Sequence, residues 1–132
     1  MIRALDTSTS ALTAQRIRMD VIAGNIANAE VTRQADGSRQ PFRRRYVTFQ
    51  TGDGRGGPGV HVHEVRTDPG PFRRKYDPGH ADAGPDGYVQ LPNVSITMEY
   101  VDALAASRAY DVNAGMLNVT RSMVQQALRL LA

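Results

Sequence analysis

The sequence predicts a mainly α fold with a small β part: long N- and C-terminal helices paired as a coiled coil, with an extended middle that contains a β-hairpin. Three observations carry this. Apolar residues recur every seven positions at both ends of the chain. Glycine and proline are confined almost wholly to the middle: of 12 Gly only Gly24 and Gly115, and of 7 Pro only Pro92, lie outside residues 36–87. Within that middle, two short stretches alternate from residue to residue.

The first element runs from about Ile2 to Asn28. Leu5, Leu12, Met19 and Ile26 fall at intervals of seven and Ile22 joins them on one face, while Gln15, Arg16, Arg18 and Asp20 lie largely off it. No proline interrupts the pattern. A helix of that length extends roughly 40 Å at ~1.5 Å per residue, too long for a small core to cover. A narrow apolar stripe on such a helix calls for a partner helix. The stretch Asn25 to Asn28, followed by β-branched Val31 and Thr32, is where it should end.

The middle opens with a turn at Asp36-Gly37. Phe42, Arg44, Tyr46 and Thr48 then alternate with Arg43, Arg45, Val47 and Phe49, which reads as a strand. A glycine-rich loop over residues 52–59 leads into a second alternating stretch, Val60 to Val65, so a hairpin is expected. Pro69-Gly70-Pro71, Asp77-Pro78-Gly79 and Gly84-Pro85-Asp86-Gly87 add further turns.

The last element starts after Pro92, with Asn93 or Ser95 able to cap it, and runs to the end. Ala105, Val112 and Val119 form one seven-spaced series, and Ala109, Met116, Met123 and Leu130 another. Leu117, Val124, Leu128 and Leu131 make a further strip, so this helix should touch more than one neighbour. The seam partners are the other end of the same chain or the ends of neighbouring chains. Three regions follow: a helix over 1–30, a Gly/Pro-rich basic middle over 31–92 and a helix over 93–132.

Size and composition narrow the function. At 132 residues and 41% hydrophobic there is room for one modest core, yet only 6% is aromatic and the apolar residues gather at the ends. Both ends are charge-neutral, so the net +3 belongs to residues 31–92, where 10 basic groups face 7 acidic ones. With no cysteine, a disulfide, a thiolate metal site and a Cys nucleophile are excluded. No apolar run reaches the ~18 residues of a membrane span, and the N-terminus lacks the layout of a cleaved signal peptide. Neither membrane insertion nor a cofactor is expected.

Candidate chemistry is thin. Pro41-Phe42-Arg43-Arg44-Arg45-Tyr46 recurs as Pro71-Phe72-Arg73-Arg74-Lys75-Tyr76. Such strings could place cations on phosphates and aromatics on bases, which makes a small nucleic-acid-binding module the competing function. The plainer reading, arginine stems packed over aromatic faces, is preferred because the charge excess is modest. His61 and His63 share a strand face but lack a third ligand nearby, so no metal site is assigned. The glycine-rich loop lacks the G-K-[ST] ending of a phosphate loop. No catalytic constellation is present, and an enzyme is not expected.

Longer strings identify more. Ser10-Ala11-Leu12-Thr13-Ala14-Gln15 and then Arg18 to Ala29, with Asn25 and Asn28, resemble the N-terminal signature of bacterial flagellar rod and hook proteins. Asp77, Pro78, Gly79 and His80 after Tyr76, the stretch from Gly87 and Tyr88 to Pro92 and Asn93, and Arg108, Tyr110 and Asn113 in the last helix resemble the family's proximal rod members in order and spacing. The resemblance covers nearly the whole chain. It implies a non-enzymatic structural subunit of the flagellar basal-body rod that crosses the periplasm, assembles helically and passes motor torque to the hook and filament. The partners implied are other rod subunits, copies of itself and the flagellar type III export apparatus, with export that involves no cleavage.

Overall fold

The computed structural model describes residues 2–52 and 54–131; Asp53, in the glycine-rich loop, lies outside the described residues. Helix α1 spans Ile2–Ala27, strands β1 and β2 span Arg45–Thr51 and Val60–Thr67, β3 and β4 span Arg73–Tyr76 and Tyr88–Leu91, and helix α2 spans Ile96–Leu131. The fold is mainly α, with two long terminal helices packed against each other around a small antiparallel β part.

The helices run antiparallel. Going up α1 from Arg18 to Asn25, the partners on α2 step down from Asp102 to Glu99. With Asn25 opposite Glu99, a rise of ~1.5 Å per residue places the start of α1 near residue 122 of α2, and about nine residues of α2 project past it, some 14 Å. The two helices are unequal, 26 residues against 36.

The expected coiled-coil pairing is present, but α2 uses a different stripe for it. Glu99, Ala103, Ala106, Tyr110, Asn113, Leu117, Thr120 and Val124 turn inward at heptad-like steps. The seven-spaced series lies roughly a quarter-turn away. Val112 is 66% exposed, Met116 54%, Met123 57% and Leu130 88%; Val119 and Ala105 are exposed too, and only Ala109 is half-buried. Packing α1 on the apolar series would have removed Glu99 from its partners, and the buried ion pair fixes the rotation of α2.

On α1 the expected stripe is only partly covered. Ile22 is buried, and Leu5, Leu12, Met19 and Ile26 are half-buried. A second α1 face carries β1 and β2. Ala14 is buried there, and Val60 N–H near the hairpin tip donates to Ser10 Oγ at 3.1 Å. Gly59 makes this approach possible: its φ is +127°, and a Cβ there would lie 2.2 Å from Ser10 Oγ.

The first hairpin is as expected, although β1 begins at Arg45 rather than Phe42 and a bulge shifts the register between Thr48 and Phe49. The turn at Asp36-Gly37 is present, with Gly37 at φ +80° and its N–H donating to the Gln34 carbonyl. The structure adds a second hairpin, β3 with β4: the Phe72-Arg73-Arg74-Lys75-Tyr76 string was expected to be extended, but its pairing with Tyr88–Leu91 was not read. All four residues of β3 are exposed, so no alternation marked it. Its loop closes on Gly87, at φ +79°, where a Cβ would lie 2.7 Å from the Tyr76 ring. Ala29, Val89, Pro92 and Val94 are buried.

Candidate functional site

The largest fully buried side chain among the described residues is a carboxylate. Glu99, in the first turn of α2, is fully buried and Asn25 is 1% exposed. A buried carboxylate is tolerated only with partners. Asn25 Nδ2 donates to Glu99 Oε2 at 3.0 Å, and Arg44 Nε donates to Glu99 Oε1 at 2.5 Å. Arg44 also lies within 3.4 Å of Asp102 and 3.7 Å of Asp68, and Arg18 within 3.9 Å of Asp102.

Asn25 uses the rest of its amide on the backbone of Arg45, donating to its carbonyl at 2.7 Å and accepting from its N–H at 2.9 Å. That pair reproduces a strand's hydrogen bonds at the root of β1. Asn93, expected as a possible helix cap, is used differently. Its Oδ1 accepts from Arg44 N–H and its Nδ2 donates to the carbonyls of Asp68 and Gly70. The helix begins after Ser95, whose carbonyl accepts from Glu99 N–H. One joint therefore ties α1, α2, β1 and the segment after β2 together.

Arginine and aromatic side chains extend this joint. Arg43 stacks 4.3 Å over Phe72, linking the two Phe-Arg-Arg strings to each other, and Arg74 lies 4.7 Å over Tyr88. Arg73 donates to the carbonyls of Pro92 and Ala29, the latter just past the end of α1. The packed arrangement preferred for these strings is the one adopted.

The remaining motif residues serve local structure. Asn28 Nδ2 donates to the Gly24 carbonyl and Asn113 Nδ2 to that of Ala109. Asp77 N–H donates to the Gly87 carbonyl, and His80 N–H to the Asp77 carbonyl through the Pro78-Gly79 turn. Tyr88 meets Tyr76 edge-on at 5.2 Å, Tyr110 is half-buried and Arg108 exposed.

Sequence reasoning missed two features. Arg44 and Glu99 are separated by 55 positions, and nothing local marks either. Met98, Tyr100, Val101 and Leu104 are each more than half exposed at the start of α2, a patch that the heptad series did not include. Together with the outward series from Val112 to Leu130 they make α2 apolar along an outer face. Large exposed apolar patches mark interaction surfaces. The geometry thus offers a stiff joint and an uncovered helix face, suited to assembly.

Comparison with known proteins agrees. Residues 5–33 match the family described as flagella basal body rod protein, and residues 86–130 match the flagellar basal body rod FlgEFG protein C-terminal family. The flagellar basal-body rod protein FlgC of Bacillus subtilis is 39% identical over 96% of this chain and 95% of its own length. FlgC of Yersinia enterocolitica is 39% identical over 98% and 97%, and that of Aquifex aeolicus 37% over 96% and 93%. Near-complete coverage of both partners at these identities places the chain in the FlgC family of flagellar basal-body rod proteins.

Proposed function

We propose that the chain is a structural subunit of the bacterial flagellar rod, assembling helically with other rod subunits and copies of itself to pass motor torque to the hook and filament. The observation that carries this is the outward apolar face of α2 on a chain whose own core does not use it. A heterologous contact whose rotation does not close generates a helical array, and a helix with one apolar stripe covered and another open suits it. Leu5, Leu12, Met19, Ile22 and Ile26 with Ala109 form the edge of the helix pair. Ala105, Val112, Met116, Val119, Met123 and Leu130 form the face offered to neighbours. The helices at 1–30 and 93–132 make the axial core, and 31–92 the outer part.

The subunit works in the basal body, in the rod that crosses the periplasm, and reaches it through the type III export apparatus with its N-terminus intact. A strain deleted for the gene should lack rod, hook and filament, read by electron microscopy of basal bodies and by swimming assays. Normal swimming of that strain would overturn the proposal.

A further inference from the structure

We infer that the hollow beside the root of the first hairpin receives a carboxylate side chain from a neighbouring rod subunit, an inference that rests on the rod reading above. The hollow has a volume of about 380 Å³, and its lining includes Arg33, Arg43, Arg45, Gln34, Gln40 and Phe42 but no Asp or Glu. Elsewhere in the middle Arg39, Arg44, Arg66 and Arg74 each have a carboxylate within 4 Å, while Arg73 spends its donors on the carbonyls of Pro92 and Ala29, away from the hollow. Of the three that line the hollow, only Arg33 is neutralised, by Asp82 at 2.6 Å.

Arg43 and Arg45 are held differently. One terminal nitrogen of Arg43 donates to the carbonyls of Asp68 and Gly70 at 3.2 and 3.1 Å, which are dipoles and do not cancel its charge. Its plane rests on Phe72, and Arg45 lies 5.6 Å over Phe42. Phe72 and the two carbonyls hold the Arg43 guanidinium in place, while Arg45 is exposed with Phe42 at its side. Two guanidinium forks beside one concavity are what bidentate carboxylate recognition uses, and at Arg43 little ordering entropy is left to lose when the anion arrives.

A protein carboxylate fits better than a nucleic-acid strand. A strand needs a track of cations and stacking faces several nucleotides long, and here two uncompensated charges face one hollow whose nearby rings are covered by their own arginines. The side chain of Arg45 is free to be changed, because Asn25 holds only its backbone.

The test is charge reversal in cells. The double variant Arg43→Glu/Arg45→Glu should be secreted at the wild-type level and keep its helical circular dichroism, yet leave cells immotile. Suppressors should turn an Asp or Glu into Lys or Arg, and their position identifies the neighbour, whether a copy of this chain or another rod protein. Wild-type swimming of the double variant, or suppressors that change no charge, would overturn the inference.

Should the double variant lose its helical signal, single changes decide: Arg45→Lys should swim at least about tenfold faster through soft agar than Arg45→Gln, and equal rates count against the idea. The deletion strain separates the two levels of the argument. If it swims, the rod reading fails; if it is immotile while the charge-reversed strain swims, this inference alone fails. Purified wild-type chain should not bind a single-stranded oligonucleotide. Binding that falls steeply with salt and disappears on charge reversal would reassign the hollow to phosphate.

Discussion

Glu99 sits fully enclosed in a chain whose large apolar side chains are in many cases exposed. Removing one member of a buried charge pair leaves the other uncompensated, at a cost of about 3–5 kcal/mol. Glu99→Ala should lower the denaturant midpoint accordingly, whereas Glu99→Gln, which still offers Asn25 an acceptor, should cost less. Equal losses for both would show that the acceptor offered to Asn25 adds nothing and that the lost charge opposite Arg44 carries the whole effect.

Asp82 makes a second, shallower clasp. The Thr32 hydroxyl, and next the Arg33 guanidinium and His80, hold its carboxyl below the usual range. A depressed folded pKa adds stability above the unfolded carboxylate value of about 3.9, and that stability is lost as pH falls through the folded pKa. Asp82→Asn should therefore be less stable than wild type at pH 7, with the gap narrowing below about pH 4. Urea titrations at both pH values check the sign; a constant gap refutes it.

Among the elements, the first hairpin is held to α1 at two ends. Its root is gripped by Asn25, and near its tip Val60 bonds Ser10 where Gly59 comes close. A side chain at Gly59 meets both a positive φ and Ser10, so Gly59→Ala should cost about 1–3 kcal/mol. Amide exchange should speed up at Val60 while the helices keep their protection. Unchanged exchange there would remove the tip contact from the account.

These elements were unevenly legible in the sequence. Both helices and the first hairpin followed from period and turn residues, because long amphipathic repeats and glycine-rich tips are local signals. The facing stripe of α2 did not, since Leu117 and Val124 on one side compete with Val112 and Met116 on another and only Glu99's distant partners decide between them. The β3–β4 pairing escaped because all four residues of β3 are exposed and β4, though it alternates, is only four residues long. Asn25 and Asn93 were noticed as members of familiar strings, but their joint role depends on Arg44 and Glu99, which carry no local mark.

Taken whole, the molecule is a helix pair with a β-hairpin laid along α1 from Asn25 to Ser10 and an open apolar face along α2. Met116→Asp and Val119→Asp change exposed positions, so each should leave thermal stability within ~0.5 kcal/mol of wild type. Both should block motility while secretion continues. A loss of folding would place these residues in the core instead, and unaltered swimming would remove them from the interface. The unequal helix lengths matter at this scale as well. At the Asn25–Glu99 end the two helices finish nearly level, Ala27 beside Ile96, whereas at the other end α2 runs about nine residues past α1. The pair is blunt at one end and stepped at the other, and a step bares a helix on all its sides where a blunt end bares only its cap.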